Sequence, residues 1–290
     1  MGHPQPFRLN YLGVGNEQWD EPDDAIYTVR LRRFEQALHA KWPKLRIVAC
    51  GGNDLGGEQC RRMRKILADV PGVYSTDEHK YGDAGWFAKS GTVYDGTPRG
   101  GQKVFVTEFA EVEPDGWGRF NRAMSGVWEA AFLTTLERNC DLVEAAMYAP
   151  DFVNRNAWNW APGLIWFDTK GWTATSSYKT QKLFAEFRGV KEIPALADGK
   201  PLAGANGVFA SAVLAADGRP MVRLVNVNRT AVKVSLRVKG DGREAKWKGF
   251  AASASDVEKT VPLSGKAVAA NGAFALELPP RSVICFGVMR

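Results

Sequence analysis

The sequence predicts an α/β plus all-β protein: a partial (β/α)8 TIM barrel followed by an antiparallel, jelly-roll-like β-sandwich. Three observations predict it. Short, near-continuous apolar runs alternate with amphipathic helical patterns as far as Gly189, as expected of parallel strands covered by helices. Beyond that point the runs alternate apolar and polar residues between turn signals, the mark of half-buried antiparallel strands. Polar clusters in the first region sit just past the ends of its apolar runs, where barrels and open α/β sheets carry functional groups. The predicted division is a barrel segment over 1–190 and a sandwich over 191–290.

Taken in order, Tyr11–Gly15 is the first strand. The Asp20–Asp24 cluster offers an N-cap, and Tyr27, Leu31, Phe34 and Leu38 recur on one helix face until Pro43 stops it. Leu45–Cys50 is the second strand, ended by Gly51-Gly52, and Met63, Ile66, Leu67 and Val70 mark the next helix before Pro71-Gly72. A third unit runs from Val73 through Asp77-Glu78-His79-Lys80-Tyr81, with Trp86–Val93 as its helix, and Gln102–Thr107 is the fourth strand. Trp117–Ala149 reads as two helices broken near Asn139-Cys140-Asp141. Gly163–Asp168 reads as the fifth strand and Ser177–Arg188 as the last helix, closed at Gly189. After a linker over Glu192–Gly207, strands are expected at Val208–Ala215, Val222–Asn228, Val232–Val238, Lys246–Ala252, Ala273–Leu278 and Ser282–Met289.

Composition narrows the function. With 45% hydrophobic and 24% charged residues the chain is ordinary globular material, and no apolar run approaches the roughly 18 residues of a membrane span. Four cysteines in no CxxC spacing and three histidines argue against a structural zinc site or a disulfide framework. The net charge of +6 draws on Arg30–Arg33 and Arg61–Lys65, which fall inside amphipathic helices and read as solvated faces. Neither nucleic acid nor membrane is therefore expected as a partner. Residues Met1–Asn10 lack the pattern of a signal peptide, which leaves localisation open between the cytoplasm and export by a segment upstream.

Two apolar runs end in a glutamate, at Glu17 and Glu108. Paired carboxylates at strand tips can serve as proton donor and nucleophile toward a sugar. Asn16 sets an amide beside Glu17, Trp19 offers a stacking surface, and Glu108 lies in a run too apolar for an idle carboxylate. His79 and Tyr81 occupy the same strand-tip position.

The order GNE-Q-W, DEHKY, KVFVTEFA, EAAFLTTLERNCDLVEAAMYAP, AWNWAPGLIWFD and SYKTQKLF resembles the α-L-arabinofuranosidases of glycoside hydrolase family 51. The resemblance implies Glu17 as acid/base, Asn16 as a ligand of the sugar 2-hydroxyl, and Glu108 as nucleophile. It places His79 and Tyr81 beside the nucleophile and the arabinose ring, and lets Asn159, between Trp158 and Trp160, offer its amide where the family carries a longer one. It implies no cofactor and no metal, an arabinofuranosyl oligosaccharide or polysaccharide as substrate, and a homo-oligomer of the kind the family forms. If Tyr11–Gly15 corresponds to the fourth barrel strand, three βα units, about 100 residues, are absent. A truncated form is then expected, with sheet edges at Leu9–Val14 and Leu164–Phe167. Two alternatives accompany this reading: a clan member acting on another sugar, as a xylosidase or glucanase, and a catalytically inactive carbohydrate-binding fragment.

Overall fold

The computed structural model describes residues 2–20, 23–112, 121–158, 160–239, 243–256 and 258–289. The chain divides into two compact units. The first comprises Met1–Lys80, Gly96–Phe109 and Asp141–Met147, and the second Tyr81–Asp95, Ala110–Cys140 and Tyr148–Arg290.

The first unit is built on β1 (Tyr11–Val14), α1 (Asp23–Lys41), β2 (Arg46–Gly52), α2 (Glu58–Ala68), β3 (Val73–Gly82) as far as Lys80, β4 (Lys103–Glu111) as far as Phe109, and β5 (Val143–Ala146). Its strands form one sheet in the order β1-β2-β3-β4-β5, with β1–β2, β2–β3 and β4–β5 parallel, the expected partial barrel wall. The core joins Val14, Tyr27, Leu31, Ile47, Ala49, Met63 and Leu67 from strands and both helices. Tyr27 ties α1 to two strand ends, since its hydroxyl donates to the Val14 carbonyl at 2.7 Å and accepts from the Cys50 N–H at 2.9 Å. Burial pushes the phenol far up, so it keeps the proton that one of these bonds requires. Phe34, expected on the buried stripe of α1, is 56% exposed. Strand β1 is the sheet edge, so the stripe is covered only in part.

The fifth parallel strand is β5, inside the stretch expected to be helical. Val143-Glu144-Ala145-Ala146 has helix-favouring Glu and Ala and no period-2 pattern; pairing of Val104 with Val143 and of Val106 with Ala146 overrides that local preference. One helix, α4 (Ala123–Arg138), precedes it, while 113–120 lie outside the described residues. The run expected as the fifth strand instead contains β7 (Ile165–Phe167), which joins β6 (Phe152–Asn154) and β8 (Trp172–Ala174) in a separate three-stranded sheet. The parallel sheet accordingly ends at β5 rather than at Leu164–Phe167.

The second unit also holds α3 (Ala84–Lys89), capped by the Asp83 side chain, and α5 (Ser176–Glu186), capped by Thr175. Its β region runs β9 (Lys191–Ile193), the short hairpin of β10 (Leu196–Ala197) and β11 (Lys200–Pro201), β12 (Val208–Leu214), β13 (Pro220–Asn226), β14 (Val232–Leu236), β15 (Glu244–Ala252), β16 (Thr260–Val268), β17 (Phe274–Leu278) and β18 (Ser282–Met289). Six of these make an antiparallel sheet in the order β16-β15-β18-β13-β12-β9, and β14 pairs with β17. Phe274 meets Phe286 edge-on at 4.9 Å, joining the two layers of the sandwich. Strand β16 escapes the sequence pattern because Pro262 and Gly265 interrupt it; at the sheet edge a proline costs no ladder bond. Strand β9 overlaps the start of the expected linker, drawn into the sheet by pairing with β12.

Candidate active site

The turn after β1 sets Glu17. Gly15 has φ of +87°, and a Cβ there would stand 2.4 Å from the Gln18 side chain and 2.8 Å from the Tyr27 ring, so only glycine admits this turn. The Gln18 Oε1 accepts the Asn16 N–H at 2.7 Å, and the Trp19 carbonyl accepts from Arg62 Nη2 of α2 at 2.6 Å. Glu17 itself lies at φ of 58°, a left-handed conformation unusual for a residue with a Cβ. Strain of this kind gathers at functional sites.

On β3 the period-2 alternation puts Asp77 and His79 on one face and Glu78 on the other. Glu78 is fully buried and receives Arg64 of α2 through Nε at 2.8 Å and Nη2 at 2.5 Å, which fixes the rotation of the strand. Gly51 of β2 lets the two backbones close at the register shift: a Cβ there would sit 2.7 Å from the Asp77 carbonyl. Strand β4 contributes Thr107 and Glu108.

These side chains converge on one imidazole. His79 is 1% exposed; its Nδ1 lies 3.0 Å from Glu17 Oε1 and 3.5 Å from Glu108 Oε2. Its Nε2 lies 3.3 Å from Asp77 Oδ2 and 3.2 Å from Thr107 Oγ1, while the Thr107 hydroxyl donates to Asp77 Oδ1. Trp19 packs edge-on against the ring at 4.9 Å. Burial pulls the His79 pKa down, but the hydrogen bond and charge of Asp77, then Glu17 and Glu108, outweigh it and leave the ring more basic than ordinary histidine. One polar atom each of Glu17, His79 and Glu108 lie within 4.8 Å of one another. Three such donors could face a cation, and a protonated imidazole between two carboxylates already places positive charge there.

Of the residues expected at a site, Glu17, His79 and Glu108 are brought together in the first unit. Asn16 adjoins Glu17 and is exposed. Tyr81 belongs to the second unit, where its ring meets Trp160 edge-on at 5.0 Å, and Asn159 lies outside the described residues. Trp19, expected as a stacking surface, is 2% exposed and part of the core, because its indole packs among the core residues and against the His79 ring. Asp77 and Thr107 were not anticipated. The signal for Asp77 was present, since it shares the face of His79 two residues away.

Residues 92–282 match the model of the α-L-arabinofuranosidase C-terminal domain, and residues 1–99 that of the α-L-arabinofuranosidase 1 domain. The chain belongs to the α-L-arabinofuranosidase C-terminal domain family. Among its relatives, the extracellular exo-α-L-arabinofuranosidase of Streptomyces chartreusis is 37% identical over 201 residues, covering 69% of this chain and 23% of that protein. α-L-Arabinofuranosidase 2 of Arabidopsis thaliana is 33% identical over 250 residues, 86% of this chain and 34% of that protein. An arabinose-bound GH51 α-L-arabinofuranosidase superposes with a TM-score of 0.82 at 26% identity, over 99% of this chain and 46% of that one. The GH51 arabinofuranosidase of Xanthomonas axonopodis pv. citri shares the fold, with a TM-score of 0.75 at 16% identity over 99% of this chain and 68% of that one. The resemblance to the C-terminal portion of family 51 enzymes is thus borne out. This chain spans about a quarter to a third of the length of the two curated relatives.

Proposed function

We propose that this chain is part of a retaining glycoside hydrolase that removes terminal α-L-arabinofuranosyl residues from arabinoxylan, arabinan or their oligosaccharides. Glu108 attacks the anomeric carbon while Glu17 protonates the departing oxygen. Glu17 then takes a proton from water, which displaces Glu108 and releases arabinose with its configuration retained. The observation that carries this reading is the spacing: Glu17 and Glu108 present oxygens within 4.8 Å of each other. Retaining enzymes hold their carboxyl groups about 5–5.5 Å apart, whereas inverting ones leave room for a water at roughly 6.5–9.5 Å. Both carboxylates remain open to solvent, as a substrate requires. Asn16, exposed and next to Glu17, is the proposed ligand of a sugar hydroxyl.

The test is hydrolysis of a panel of aryl furanosides and pyranosides by this chain, with the first-formed anomer read by proton NMR. The reading expects cleavage of the α-L-arabinofuranoside with retention. Inversion, or preference for a xyloside or glucoside, overturns it.

A further inference from the structure

The polar groups behind His79 have a geometry that constrains its protons. Thr107 gives its only hydroxyl proton to Asp77 Oδ1, so toward His79 Nε2, at 3.2 Å, its oxygen can act only as an acceptor. Asp77 Oδ2, at 3.3 Å from the same nitrogen, also accepts. Nε2 must therefore carry a proton. On the other side, Nδ1 faces Glu17 at 3.0 Å and Glu108 at 3.5 Å, and when both are ionised it too has only acceptors before it. With both glutamates ionised the ring is an imidazolium, and the proton that Glu17 delivers to the departing oxygen is the one it shares with Nδ1.

We propose that Asp77, buttressed by Thr107, is a positioning residue that holds His79 as the cation between Glu17 and Glu108, and thereby sets the pH window in which the two carboxylates are held together. The proposal rests on the reading of Glu17 and Glu108 as the working pair. Among the described residues, the charged groups that face the ring come from three elements: Glu17 from the turn after β1, Asp77 from β3 and Glu108 from β4. Cys50 of β2 and Tyr27 of α1, which feel the charge of Asp77, are pushed up by burial and stay neutral. The Arg64–Glu78 pair lies on the opposite face of β3. Loss of the imidazole proton would leave two carboxylates a few ångströms apart with no cation between them, and they would repel. The alkaline limb of activity is then the titration of the coupled group rather than of either glutamate alone.

The experiment is a titration of the ring itself, followed by heteronuclear NMR on the whole chain. Only three histidines are present, and His79→Gln assigns the resonance. In the unaltered protein the His79 midpoint should lie above that of an ordinary histidine. Asp77→Asn should bring it down by about one pH unit or more, leaving His3 and His39 in place, and Thr107→Val should bring it down by less. The alkaline limb of aryl arabinofuranoside hydrolysis should move acidward with it. For each pH unit that the limb moves, activity at high pH should fall about tenfold with KM little changed. Thr107→Val is close to isosteric and decides the matter if Asp77→Asn fails to fold. An unmoved His79 midpoint in the folded variants, or a neutral ring throughout pH 5–8, overturns the proposal. A midpoint that moves in a chain whose first-formed product is inverted sustains the positioning role and sinks the functional reading instead.

Discussion

Glu17 and Glu108 approach a buried cationic ring with their side chains 49% and 30% exposed. In the second unit Glu137 of α4 meets a guanidinium with no exposure at all: Arg223 of β13 lies 2.9 Å from one of its oxygens, and Ser211 of β12 donates to the other at 2.6 Å. Both regions pair carboxylate with cation, yet they differ in what else can reach the charges. In the first, water or a sugar can replace a partner at little cost, because both carboxylates are partly exposed. In the second, burial raises the Glu137 pKa even against the pull of Arg223, and although the Glu137 side chain is 23% exposed the guanidinium itself is out of solvent's reach. An open cluster is suited to chemistry and a closed one to fastening a helix to a sheet.

The largest effects should therefore separate cleanly by region. Glu108→Gln is expected to reduce hydrolysis by on the order of 10⁴-fold or more, while unfolding in urea stays within about 0.5 kcal/mol of the parent. Glu17→Ala should cost about 10²–10⁴-fold, with partial recovery by azide or an activated aryl leaving group. Arg223→Met should do the reverse. Leaving the partly exposed Glu137 without its buried cation should cost about 1–3 kcal/mol of stability, largely recovered by adding Glu137→Met. A site variant that unfolds, or an Arg223 variant as stable as the parent, breaks the contrast.

A smaller, pH-dependent effect sharpens it. Glu129 of α4 is fully buried, and burial together with nearby Glu111 raises its carboxyl well above the usual range, against the Ser177 and Glu111 N–H hydrogen bonds. The folded form thus holds a proton that the unfolded chain releases near pH 4.3, so stability falls as pH rises from there toward the folded value. Glu129→Gln should remove that slope, gaining on the parent by about 1 kcal/mol per pH unit above pH 5 in thermal unfolding followed by circular dichroism. The least effect belongs to the exposed pair Arg99–Asp141, at 2.8 Å in the chain; Arg99→Ala should change stability by less than about 1 kcal/mol, less still in high salt.

Much of this was legible in the chain itself. Strands that carry Glu17 just past the end of β1 and Glu108 within β4 followed from apolar runs closed by polar residues, and the Val232–Leu236 alternation foretold a half-buried antiparallel strand. Where the structure departs from that expectation, the local signal conflicted with the tertiary one. Val143–Ala146 carries helix-favouring residues and becomes a strand only because β4 offers it a ladder. Ile165–Phe167 looks like a core strand and pairs elsewhere. Strand β16 hides behind a proline that only an edge position makes harmless.

By itself the sequence determined the alternation of elements, the change from parallel to antiparallel architecture and the two glutamates, because period, capping residues and turn residues are local properties. The tertiary structure alone decided which carboxylates share a histidine. Trp19 reads as an aromatic free to stack on a sugar until the core closes over it, and Asp77 and Thr107 read as ordinary polar strand residues until β3 and β4 align. Charges and hydrogen-bond partners act over a few ångströms of space, and the sequence distance between Glu17 and Glu108 carries no record of that.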